Sequence, residues 1–181
     1  MRKLVIMCAA AAAVFVAGCA TKEPPPPPPK PAAENTWTAR LADLKRALEA
    51  ATQGTGVIIE QTADNRLRVV MPNDLSFDVG RSNVKRDLAQ VLDKIAEGVR
   101  GASAVSLQVI GHTDSTGGDA ANDKLSLSRA NSARDHLAAR GVAADIISTD
   151  GKGEREPLAD NNTAAGRAQN RRVEIFVAEK G

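Results

Sequence analysis

Apolar residues recur along the chain at two spacings, and each spacing predicts a different element. Trp37, Leu41, Leu44 and Leu48 are three and four apart, which predicts a short amphipathic helix over Trp37 to Ala51, broken by Gly54-Thr55-Gly56. Val57 to Glu60 and Leu67 to Met71 are β-rich runs on either side of Ala63-Asp64-Asn65, the pattern of a hairpin that Pro72-Asn73-Asp74 ends. Val84, Leu88, Val91, Leu92, Ile95 and Val99 return to helical spacing, with Ser82 or Asn83 placed to cap the helix. Val105, Leu107 and Val109 alternate with Ser106 and Gln108, so Ala104 to Ile110 reads as a strand with one buried face. A polar loop from His112 to Ala120 leads to a helix from Ala121 to Arg140, stopped by Gly141. Ile146 to Gly151 is a short strand, 153–162 a loop and Thr163 to Gln169 a helical turn, and Val173, Ile175 and Val177 mark a last strand. Alternating elements of this kind predict an α/β (α+β) two-layer sandwich, with helices packed on one face of a small mixed β-sheet.

The N-terminus carries a different signal. Met1-Arg2-Lys3 precedes the apolar run Leu4 to Ala17, which predicts a signal peptide over residues 1–18. The run is shorter than the roughly 20 residues a spanning helix needs. Its end, Val16-Ala17-Gly18-Cys19, resembles the lipobox of bacterial lipoproteins, which implies that Cys19 becomes the lipidated first residue and anchors the chain to a membrane. Ala20 and Thr21 lack the aspartate that retains such proteins in the inner membrane of enteric bacteria, so the expected location is the outer membrane, periplasmic side. Residues 19–36 then form a linker whose run Pro24 to Pro29, with Pro31, favours an extended polyproline spacer. Such a spacer reaches on the order of 50 Å from Cys19 to Trp37, at about 3.1 Å per residue. Residues 37–73 are a helix plus hairpin extension, and 74–179 the main domain.

Removal of residues 1–18 takes away Arg2 and Lys3 but no acid, leaving basic and acidic residues in equal number. That balance argues against a nucleic-acid partner and against a polybasic membrane patch. Cys8 leaves with the signal, so Cys19 has no disulfide partner, and Trp37, Phe77 and Phe176 are too few for base stacking.

The most informative stretch is Gly111-His112-Thr113-Asp114-Ser115-Thr116-Gly117. It is followed by Asn122, Leu125-Ser126, Arg129-Ala130, Gly151-Lys152-Gly153-Glu154 with Pro157, and Asn170-Arg171-Arg172-Val173-Glu174-Ile175; Phe77-Asp78-Val79-Gly80 precedes it. In this order the motifs resemble the OmpA-like peptidoglycan-binding domain family over Leu75 to Val177. The resemblance implies that Asp114 and Arg129 hold the diaminopimelate of a peptidoglycan stem peptide, with contributions from Thr116, Asn122 and one residue of Asn170-Arg171, of which Arg171 is the choice here. The chemistry agrees. Diaminopimelate presents an ammonium and a carboxylate on one carbon, and an aspartate with an arginine supplies one acceptor anion and one donor fork. Asp114 falls just past the end of a strand, where ligands collect in α/β sheets. Arg129 is seven residues after Asn122 and shares its helical face, with Ser126 between them. Without the surrounding motifs, an Asp and an Arg meeting across a loop would read as a structural ion pair.

No enzymatic constellation stands out. His112 and His136 lack cysteine partners for a zinc site. Gly151-Lys152-Gly153 lacks the rest of a phosphate loop, and no Gly-x-Ser-x-Gly occurs. The expectation is a non-enzymatic tether without cofactor or metal. Its partners would be peptidoglycan and, through Cys19, a membrane, with envelope proteins or a second copy of the chain as further candidates. The alternative is the wall-anchoring part of a larger envelope machine, of secretion, motor or Tol type, with residues 37–71 presenting the partner surface.

Overall fold

Why the helices collect on one side follows from the register of the strands. A computed structural model of the chain describes residues 35–102 and 104–180. The signal peptide, Cys19 and the proline run fall outside the described residues. The described part contains strands β1 (Ile58–Gln61), β2 (Leu67–Pro72), β3 (Val105–His112), β4 (Ile147–Gly151) and β5 (Arg172–Glu179), in the order β1-β2-β5-β3-β4. Only β3 and β4 run parallel.

Val69 pairs with Ile175, which pairs in turn with Val109, and Leu67, Val177 and Leu107 form the next row. With side chains alternating between faces, these rows build one apolar face. The helices that cover it are α1 (Ala39–Ala51), α3 (Arg86–Val99) and α4 (Asp119–Ala139), through Leu41, Leu44 and Leu48, Leu88, Leu92 and Ile95, and Ala130, Ala133 and Leu137. A one-turn α2 (Asn73–Ser76) and a short α5 (Ala164–Asn170) complete the α-helices, and a 3-10 turn (Ala144–Ile146) takes Ile146, expected in the strand, ahead of β4. The fold is the expected two-layer sandwich with a mixed sheet. On the opposite face Arg68, Phe176 and Gln108 make one row, and Pro72, Arg172 and His112 another.

The helix and hairpin of residues 37–73 add to this body. Strand β2 lies between β1 and β5, and α1 packs on α3 so closely that a Cβ on Gly98 would meet Leu44 Cδ1 at 2.7 Å. Thr38 caps α1, its Oγ1 accepting from the Leu41 N–H at 3.2 Å.

Helix α1 starts at Ala39 and α4 at Asp119, two residues later and two earlier than expected, and two other boundaries differ for reasons visible in the contacts. Neither Ser82 nor Asn83 caps α3, which starts at Arg86 behind Lys85, with no side-chain cap. Ser82 is instead bonded to the Ser128 hydroxyl at 3.0 Å, and the chain is pinned by the Lys85 N–H on the Ser76 carbonyl at 2.9 Å. Contacts to α4 have displaced a local cap. Strand β3 runs two residues further than expected, because Gly111 and His112 still pair with Val173 and Arg172 of β5. Helix α4 ends as read: Gly141, at φ 86°, donates to the Ala138 carbonyl and Val142 to that of Leu137, the paired bonds of a glycine-terminated helix.

Candidate functional site

The end of β3 and the start of α4 are brought together by a glycine. A Cβ at Gly111 would stand 2.1 Å from the Ser126 carbonyl oxygen, so only glycine lets α4 lie this close to the strand. Ser126, fully buried, accepts the Gly153 N–H at 3.0 Å and so ties the loop after β4 to the same helix.

Past the strand, Asp114 turns the chain back on itself. Its Oδ1 accepts the Thr116 N–H at 2.9 Å, a side-chain-closed turn. Its Oδ2 accepts from Arg171 Nη1 at 2.7 Å, and its backbone carbonyl accepts from Asn122 Nδ2 at 3.2 Å. Asn122 also donates to Glu154 Oε2 at 2.9 Å. Burial alone would raise the Asp114 pKa, but the bonds from Arg171 and Thr116 hold it below the ordinary carboxylate value, so the group is an anion at neutral pH.

Arg129 lies two turns along α4 from Asn122, only 2% exposed. Its Nε donates to the Arg81 carbonyl at 3.0 Å and its guanidinium lies 5.3 Å from the Phe77 ring centre. Among the described residues it makes no ion pair. Burial, and then the charge of Arg171, lower its pKa, with Asp114 and Asp74 opposing; a guanidinium nonetheless stays protonated. The ion pairs at this site therefore join Arg171 to Asp114 at 2.7 Å and to Asp74 at 3.9 Å, while Arg129 pairs with neither acid.

Asp114, Thr116, Asn122, Arg129 and Arg171 all line one cleft of about 390 Å³. Asn170 does not line it. It is fully buried and spends its amide on the loop, accepting the Leu158 and Ala159 N–H groups and donating to Ala159 and Asn161.

Four further polar residues at the cleft escaped the sequence reading: Asn73, Asp74, Thr113 and Arg167. Thr113 stood inside the Gly-His-Thr-Asp turn and Arg167 just ahead of Asn170-Arg171, so proximity to a motif could have drawn both in. Asn73 and Asp74 had been read only as the end of a hairpin. They reach the site because β2 pairs with β5, which sets the Asn73 N–H on the Arg171 carbonyl at 3.0 Å. Asn73 Oδ1 and Thr113 Oγ1 are buried and have no hydrogen-bond partner among the described residues. Both residues line the cleft that Arg129 lines, so the cleft wall holds a buried cation and two buried polar atoms without protein partners.

His112 lies outside this cleft. It sits on the other face of the sheet beside the buried pair of Arg172 and Glu174, whose Nε and Oε1 are 2.6 Å apart. Glu174 also accepts from Arg68 Nε at 2.9 Å.

The fold and the cleft together define an α/β sandwich that presents an acid and a separate guanidinium at the carboxyl end of its third strand. The family model described as the OmpA family matches residues 76–171, and the chain belongs to that family. It is 42% identical to "Probable lipoprotein YiaD" of Escherichia coli strain K12 over 126 residues, 70% of this chain and 57% of the relative. It is 37% identical over 136 residues to "Peptidoglycan-binding protein ArfA" of Mycobacterium tuberculosis, 75% of this chain and 36% of that one. The chain thus spans less than two thirds of either relative. Among solved structures, the cell wall anchor of the T6SS from Pseudomonas aeruginosa superposes with a TM-score of 0.62 at 31% identity, over 81% of this chain and 99% of that one.

Proposed function

We propose that this chain is an envelope lipoprotein that grips peptidoglycan without cleaving it, by holding the diaminopimelate of a stem peptide between Asp114 and Arg129. The observation that carries the reading is the separation of the two groups: an anion already oriented by Arg171 and Thr116, and a buried guanidinium with no anion of its own. A carbon bearing both an ammonium and a carboxylate completes both halves at once. Relatives described as a lipoprotein and as peptidoglycan-binding support it.

In this account Cys19 carries the lipid, residues 19–36 are the spacer, and the domain faces the periplasm from the outer membrane. One acyl chain holds a protein only marginally, whereas a multiply acylated cysteine is a stable anchor. The purified protein is expected to pellet with sacculi containing diaminopimelate, to release no muropeptides, and to lose pelleting in Asp114→Ala and Arg129→Ala. Undiminished pelleting of both variants would contradict the assignment, and a soluble Cys19→Ala protein is the expected counterpart for the anchor.

A second reading, the wall anchor of a larger machine, is favoured by the likeness to the T6SS anchor, which reaches beyond residues 76–171. In this reading the edge of β1, where Ile58 is 53% exposed, is the position for a crosslinker. Capture of only the chain itself and peptidoglycan from Ile58 would remove the machine reading.

A further inference from the structure

Among the side chains that line the cleft, the charges do not cancel. Arg129, Arg167 and Arg171 stand against Asp74 and Asp114. Two of the three cations are occupied, Arg171 by Asp114 and Arg167 by the carbonyls of Asn161 and Asn162. Arg129 alone is buried without an anion, and beyond the Nε bond to Arg81 its Nη donors have no partner among the described residues. A buried cation without an anion is costly, and the Phe77 ring and the Arg81 carbonyl offset that cost only in part.

We propose that this site reads whether its ligand's distal carboxyl group is free, accepting a stem peptide whose diaminopimelate carries a carboxylate there and rejecting one in which that carboxylate is a carboxamide. The inference rests on the peptidoglycan reading above and adds a substrate class to it. A carboxylate offers two acceptor oxygens to the Arg129 fork. A carboxamide offers one oxygen and an NH₂ group, and a guanidinium has only donors, so one Nη would face another donor. The amide N–H could turn to Asn73 Oδ1 or Thr113 Oγ1, buried atoms of cleft-lining residues that have no partner among the described residues, but this would leave the Arg129 charge unmet. The ligand's ammonium would then add a positive charge to a cleft that already has one in excess. With a free carboxylate the same ammonium arrives with its own counter-charge and goes to Asp114.

The test uses the full chain in detergent and two synthetic stem tripeptides that differ only in a carboxylate or a carboxamide at the distal carbon of diaminopimelate, titrated by calorimetry at neutral pH. The expected result is binding of the carboxylate peptide at least about 30-fold tighter than the amidated one, the lower bound for leaving one partner of a buried charged pair unmatched. Equal affinities would overturn the inference and leave wall binding standing, whereas failure of both peptides to bind would overturn the wall-binding reading itself. In Arg129→Gln the two affinities should converge; a preserved ratio in a variant with an unchanged unfolding transition would also overturn the proposal. The comparison of peptides on the unmodified chain stands even if that variant fails to fold.

Discussion

Acid should weaken this fold before its carboxylates begin to protonate, and His112 is the reason. The ring is 1% exposed, neither of its nitrogens has a hydrogen-bond partner among the described residues, and Nε2 is 3.6 Å from Glu174 Oε1, too far for a bond. Burial first, and the charge of Arg172 second, push its pKa from 6.5 down to about 4, with Glu174 and Glu156 pulling the other way. The folded protein therefore keeps His112 neutral where the unfolded chain has already bound a proton. Above pH 6.5 both states are neutral and stability does not depend on this group. Between 6.5 and about 4 stability falls as pH falls, by up to about 1.4 kcal/mol per unit, or roughly 3 kcal/mol across the window. Glu174 and Asp114 act lower on the pH scale and overlap this window only at its acid end: their pKa values are held down, so their contribution is present above the unfolded carboxylate pKa and is lost on further acidification. The assay is urea unfolding at pH 7.5, 6.5, 5.5 and 4.5, on the unmodified chain and on His112→Asn. The variant has its own burial cost at every pH, so slopes are compared. We expect the unmodified chain to lose about 2 kcal/mol between pH 6.5 and 4.5 and the variant to lose clearly less. Parallel curves would refute the reasoning.

Three other outcomes follow from the same geometry. Glu174→Ala leaves Arg172, 3% exposed, without its carboxylate, and should cost about 3 to 5 kcal/mol in urea unfolding. Arg171→Ala removes the 2.7 Å donor from Asp114, so the Asp114 carboxyl, followed by carbon NMR, should titrate at higher pH than in the unmodified chain, and binding to sacculi should weaken. Gly111→Ala drives a Cβ into the Ser126 carbonyl; a cost of about 1 to 3 kcal/mol and a displaced α4 in a crystal structure are expected, with weaker wall binding as the consequence.

Periodicity located the elements because burial imposes it. Val105, Leu107 and Val109, and Val173, Ile175 and Val177, could be assigned to one sheet face from spacing alone, and their rows do meet in the core. What spacing could not supply was which strands are neighbours. The β2–β5 pairing, more than 100 residues apart in sequence, brings Asn73 and Asp74 to the cleft. The start of α3 was misplaced for a related reason: Ser82 is a good local cap, and a contact with Ser128 on another helix claims it. At the site, the motifs named Asp114, Arg129 and Arg171 but not how they pair. That Asp114 bonds to Arg171 and leaves Arg129 buried among Phe77, the Arg81 carbonyl and the cleft depends on side-chain geometry, which residue order does not encode.

The most direct test of the central claim is an NMR titration that follows the Arg129 guanidinium and the Asp114 carboxyl while a muropeptide is added. With diaminopimelate in the stem, the Arg129 Nη protons are expected to shift and become protected from solvent exchange, and the Asp114 carboxyl to shift with them; a lysine-containing stem, which lacks the distal carboxylate, should leave Arg129 unchanged. Binding that moves neither residue, or that moves both equally with either stem, would contradict the account.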